Sequence, residues 1–220
     1  MRSKDFLSSR MIWSKKHFLI IKAITLISGG FTFASFYFLE HKPLKILLPA
    51  AIISLGYSIP IWPHKGKLIR LRDINGIKVF LVSIVVSAIT IFIPNEEQLN
   101  LSSIQLFIGR FFFILAITIP FDIRDKILDC NLKLQTIPTF FGNRIAIIVA
   151  IFSIFIFNSV SLISPLDYYF KIALVISGFF TLPGILLASE KRTDFFYAFV
   201  VEGTMIIQFL LILIASFFYK

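Results

Sequence analysis

Three aspartates with helical spacing are the most chemically suggestive residues of the chain. Asp122, Asp125 and Asp129 stand at i, i+3 and i+7 in the run Pro120-Phe121-Asp122-Ile123-Arg124-Asp125-Lys126-Ile127-Leu128-Asp129. If a helix continues past Pro120, they fall within about 60° of one another at 100° per residue and form one acidic stripe, with Arg124 and Lys126 pointing elsewhere. Unneutralised carboxylates on one face repel each other and raise each other's pKa values. A hard divalent cation relieves that conflict: Mg²⁺ takes oxygen ligands, keeps several waters and is usually shared between one or two carboxylates and substrate phosphates. The pattern therefore suggests metal-assisted handling of a phosphate, with Lys65, Lys67, Arg70 and Arg72 as cationic contacts to its remaining oxygens. The competing reading is a solvated helix end whose aspartates pair with Arg124 and Lys126. His17, His41 and His64 are dispersed, and the single cysteine, Cys130, excludes a disulfide framework and a Cys-based zinc cluster.

The elements that must position this stripe are membrane helices. Hydrophobic residues make up 57% of 220 and charged residues 15%, well below the roughly 25% charged of soluble domains. The apolar residues come in blocks long enough for a helix to cross a ~30 Å hydrocarbon core. Seven spans are expected, roughly 18–39, 44–61, 77–94, 104–121, 145–164, 170–189 and 195–218, in one integral membrane domain covering 1–220. Pro49, Gly56 and Pro60 mark the second as kinked or partly re-entrant. The first span follows a basic stretch, but its apolar run is too long for a signal-peptide core and lacks an A-x-A site, so it reads as a retained helix.

Charge placement sets the expected orientation. Sixteen of the 22 basic residues fall in segments 1–17, 62–78, 122–144 and 190–194, against Lys42, Lys45, Lys171 and Lys220 on the opposite side. This asymmetry predicts a cytoplasmic N-terminus and an outside C-terminus, as in a bacterial inner membrane. It also accounts for most of the net charge of +10 by orientation and attraction to anionic lipid, with no nucleic-acid partner.

The residues carry a family resemblance. The D-x-x-D-x-x-x-D run at 122–129, followed by Thr136-Ile137-Pro138 and Gly142, resembles the second aspartate-rich motif of the UbiA superfamily of membrane prenyltransferases. Tyr57-Ser58 near the end of a span, followed by the basic loop to Lys78, is similar to the segment that borders the diphosphate site in that family. The stretches Arg70-Leu-Arg-Asp-Ile-Asn-Gly-Ile-Lys78 and Arg110-Phe-Phe-Phe-Ile-Leu-Ala-Ile-Thr-Ile-Pro-Phe-Asp122 resemble a bacterial UbiA-like subgroup, and the likeness extends over nearly the whole chain.

The resemblance implies an all-α, polytopic membrane bundle around a cavity open to lipid. It implies Mg²⁺-dependent transfer of a prenyl group from an isoprenoid diphosphate to a lipid or aromatic acceptor. Asp122 and Asp125 would then be the catalytic, metal-bridged diphosphate ligands, with Asp129 a supporting metal ligand. Tyr57, Lys65, Lys67, Arg70, Lys78 and Arg124 would line or bind the substrate. The chain departs from the family in having seven spans rather than nine. It also lacks the first motif, N-x-x-x-D-x-x-x-D, for which the N-terminal stretch offers only Asp5, and has Lys133 where many members have Gly. These departures support an alternative, a non-catalytic membrane protein that binds isoprenoid lipid or a partner with the inherited fold.

Ionisable and amide groups inside the spans are the remaining candidates, since such groups are costly in lipid and usually face protein. Lys22 can snorkel to the surface. Arg110 lies twelve residues before Asp122, about 18 Å along a helix and too far for a direct role at the stripe. Glu202 is placed to meet a basic residue of the 62–78 loop, and Asn158 and Gln208 complete the set.

Overall fold

The structure, a computed structural model, describes residues 9–38, 43–60, 62–64, 67–95, 99–132 and 134–219. Lys65, Lys133 and Asp5 of the sequence reading lie outside the described residues. The chain forms two compact units, 1–42 and 43–220. The first holds α1 (Ser9–Lys16) and α2 (Phe18–Tyr37), and α2 is apolar on every face, as a helix in lipid should be.

The second unit is a helical bundle. Its elements are α3 (Leu44–Ser58), a hairpin of β1 (Trp62–His64) and β2 (Lys67–Ile69), α4 (Lys78–Phe92), α5 (Leu101–Asn131), α6 (Ile137–Phe141), α7 (Asn143–Ile163) and α8 (Tyr168–Leu186). The last helix starts with α9 (Asp194–Phe196), passes through a π turn at Tyr197–Val201 and finishes as α10 (Gly203–Phe218). The two strands pair antiparallel, Pro63 opposite Leu68.

Among the described residues, five helices are long and apolar enough to cross a membrane: α2, α5, α7, α8 and the continuous Asp194–Phe218 helix. The other two apolar blocks form shorter helices than the sequence suggested. At 15 residues each, α3 and α4 are about 22 Å long, less than the hydrocarbon thickness. Helix α3 stops at Ser58 because Pro60 disfavours helical φ/ψ at Ile59, which is extended (φ −104°, ψ 135°).

The longest element, α5, organises the rest. Its N-terminus is capped by Asn100, whose Oδ1 accepts from the Ser103 amide at 2.8 Å, supplying a partner for a backbone donor that the helix leaves free. It continues through Pro120 without breaking, for 31 residues in all, or about 46 Å. Phe113, Ile114, Ala116, Ile117, Ile119 and Ile123 of α5 are almost fully buried against the Ala146, Ala150, Ile154 and Phe157 stripe of α7 and against α4. Small side chains allow this close approach between apolar helices. Helices α7 and α8 come close at Gly178, where a Cβ would clash with the tip of the Asn158 side chain. The outward faces carry exposed Phe152, Phe155, Phe179, Phe209 and Phe217, an arrangement suited to lipid rather than water.

Candidate functional site

The aspartate end of α5 meets the start of α4, and a loop contact sets their alignment. After β2 the chain makes a single 3₁₀ turn, Leu71–Asp73, then reverses at Gly76, whose φ of +74° suits a residue without a Cβ. The Gly76 amide donates to the Gln135 carbonyl just beyond α5, at 2.7 Å. Two residues later, Lys78 begins α4 beside the acidic stripe.

Lys78 is where the geometry departs most from the sequence reading. Its Nζ lies 2.7 Å from Asp122 Oδ1 and 3.7 Å from Asp129 Oδ2, and both carboxylates are nearly inaccessible, at 3% and 6% side-chain exposure. The stripe is therefore not unneutralised: an ammonium stands between two of its three members. The attraction is chiefly ionic, since neither of these buried oxygens has a well-aligned hydrogen bond among the described residues.

Asp125 is engaged separately. Arg124, expected to point elsewhere, folds back to donate from Nε and Nη2 to the Asp125 carboxylate, at 2.8 and 3.1 Å. It is held there by the rings of Phe121 and Tyr197, 4.9 and 5.3 Å from its guanidinium carbon, and by Asp194 at 3.6 Å. Adjacent residues on a helix do not face each other, but a long guanidinium resting against two adjoining aromatic rings, 5.5 Å apart, can bend back to its neighbour. Lys126 instead bonds Asn143 Oδ1 at 2.9 Å and lies 3.6 Å from Glu190. The Asn143 amide donates to Glu190, and this bond is the main reason that the Glu190 carboxyl is held below its ordinary range.

A cavity of about 290 Å³ opens at this end of the bundle. Its walls include Tyr57 of α3, Lys78, Val82 and Val86 of α4, Ile114, Thr118, Phe121 and Asp122 of α5, and Glu202 and Met205 of the last helix. Three residues singled out from sequence, Tyr57, Lys78 and Asp122, thus come together from separate helices. Glu202, placed by sequence near the 62–78 loop, lines the same cavity as Lys78. The rest are arranged differently. Asp129 reaches Lys78 without lining the cavity, Asp125 and Arg124 serve each other, and Lys67 is described in its backbone alone, within β2.

Arg70 is committed locally. Its Nε and Nη2 clasp Asp73 at 2.9 and 3.1 Å. Although burial pushes the Asp73 carboxyl up, the Arg70 hydrogen bonds and the charges of Arg70 and Arg72 outweigh this and hold it below the usual carboxylate range. Arg72, which the charge pattern includes but the family resemblance does not single out, is the better placed. It lies over the Tyr57 ring at 5.9 Å, with its Nε buried and lacking a hydrogen-bond partner among the described residues. The only sequence signal was the Arg-x-Arg spacing, which separates the two side chains without saying which one the turn consumes.

Among the described residues no group of three or more His, Cys, Asp or Glu gathers to hold a metal ion. A metal caged by protein ligands alone does not fit this site. The buried Asp122 and Asp129 oxygens that face Lys78, ion-paired but without an aligned hydrogen bond among the described residues, fit a magnesium ion shared with substrate phosphates, which needs only one or two carboxylates. Lys78 holds that cation position here. No family model, no curated protein and no solved structure matches the chain.

Proposed function

We propose that this chain is a UbiA-like membrane protein that takes an isoprenoid diphosphate at the aspartate end of the bundle and transfers its prenyl group to a lipid or aromatic acceptor. The observation that carries the reading is the 290 Å³ cavity uniting Tyr57, Lys78 and Asp122, which the family resemblance selects from three distant stretches of sequence. In this reading α3 and α4 also enter the membrane, giving seven passes in a bacterial inner membrane with the N-terminus and the aspartate end in the cytoplasm.

The chemistry asked of the residues is modest. The allylic C–O bond breaks with its electron pair leaving on diphosphate; the acceptor's electrons form the new C–C or C–O bond, and the acceptor loses a proton. Lys78 and the Arg72 guanidinium would take up charge developing on the departing diphosphate. Asp122 and Asp129 would hold a magnesium ion that arrives with the substrate, where it offsets the same charge. Val82, Val86, Ile114 and Phe121 would keep water from the allylic cation.

A second reading, binding of an isoprenoid diphosphate without turnover, draws on the Lys78 ion pairs, which already satisfy two of the three carboxylates. Both readings are tested by incubating the purified chain with allylic diphosphates of differing length and Mg²⁺, and measuring bound ligand and released diphosphate. Release abolished by Asp122→Ala supports transfer, and saturable Mg²⁺-dependent binding without release supports the second reading. Release unchanged in Asp122→Ala would overturn the assignment of the site.

A further inference from the structure

A second, larger cavity lies toward the opposite end of the same bundle. Its volume is about 490 Å³, within the usual range for small-molecule sites, and its walls are mainly apolar, including Phe157, Val160, Leu174 and Phe209. One charged side chain lines it, Arg110 of α5, about 18 Å along the helix from Asp122.

The partners of Arg110 are all uncharged. Nη1 donates to Gln208 Oε1 of α10, and the Gln208 amide donates in turn to Ser177 Oγ of α8 at 3.1 Å. The guanidinium carbon lies 5.5 Å from the Phe113 ring. Nε is buried with no hydrogen-bond partner, and no carboxylate pairs with this arginine among the described residues. A cation placed at membrane depth against amides and an aromatic ring has paid for desolvation without gaining a counter-charge. The Gln208–Ser177 chain nonetheless fixes its direction, ready for a planar anion.

We infer that this cavity is a second ligand site, which takes an amphiphile with a single carboxylate head, the head on Arg110 and the apolar chain along Phe157, Val160 and Phe209. A carboxylate matches both the fork geometry of guanidinium and its single charge. A diphosphate would need further cations, and the described residues lining this cavity offer none. The inference stands apart from the diphosphate reading, because the two sites share neither charged groups nor helix ends.

The test uses the full chain in phosphatidylcholine nanodiscs with a photoactivatable palmitate analogue. Labelling should be saturable, map to α5, α7 or α10, and be displaced by palmitate but not by hexadecanol. Arg110→Gln should weaken displacement by palmitate about tenfold or more, and Arg110→Lys should retain part of it, since a point charge replaces a fork. Equal displacement by palmitate and hexadecanol would overturn the inference, as would Arg110→Gln labelling at the native level. Displacement by millimolar acetate would show a site for free anions and refute the amphiphile. Should Arg110→Gln fail to fold, the acid-against-alcohol comparison on the native chain decides the matter.

Discussion

Replacing Lys78 with methionine keeps the bulk of the side chain and removes its charge. In the native arrangement the ammonium sits 2.7 Å from Asp122 and 3.7 Å from Asp129, with side-chain exposures of 23%, 3% and 6% for the three residues. Removing one partner of a buried ion pair costs about 3–5 kcal/mol, mostly because the other charge is left buried and uncompensated. Lys78 keeps about a quarter of its surface, so the lower figure applies. The expected loss of about 3 kcal/mol is roughly a hundredfold in the unfolding constant. Adding Asp122→Asn removes one of the two stranded charges and should return about half of that loss, a coupling that contacting residues show and distant ones do not. Reversible unfolding in mixed micelles titrated with SDS, followed by circular dichroism, measures all four members of the cycle. If Lys78→Met alone is as stable as the native chain, or the double variant no better than the single, the ammonium is not the counter-charge of the stripe.

Gly76→Val should destabilise the 70–78 loop by about 1–2 kcal/mol or more, with Gly76→Asn milder, because φ there is +74°; thermal unfolding compares the two. Gly178→Ala should cost about 1–3 kcal/mol through the clash with Asn158. Since the obstacle is a side-chain tip, Asn158→Ala should rescue it in the same assay. The Asp73 carboxyl, depressed by Arg70, stabilises the loop fully above its ordinary value of about 3.9 and loses that contribution as the pH falls below it. Exchange of the Arg70 amide, which donates to Asp73 at 3.1 Å, should accordingly accelerate beyond the intrinsic trend as the pH falls below about 3.9, and Asp73→Asn should abolish the difference.

What the sequence made legible was local and periodic. The aspartate stripe required a helix continuing past Pro120, and α5 does continue there, as the tolerance of proline in helices that neighbours surround allows. Tyr57, Lys78 and Asp122 were each singled out in the sequence, and they line one cavity. Pairing across the fold was not legible. That Lys78, rather than an external cation, faces Asp122 depends on the Gly76–Gln135 backbone bond, which no residue type announces. Arg124 was misread because helical phase places Cβ atoms and not the tip of a long side chain. Composition showed α3 and α4 to be apolar but not where they end, and the π turn at Tyr197–Val201 left no periodic trace. The sequence located Arg110 and Gln208 within spans without showing that they meet.

Met205 lines both cavities, so one unbranched thioether contributes to the walls of two hollow spaces. Its three rotatable bonds allow it to swing without disturbing the backbone. Substitution at this one position would therefore change the volume of both hollows together, alanine enlarging each and tryptophan narrowing each.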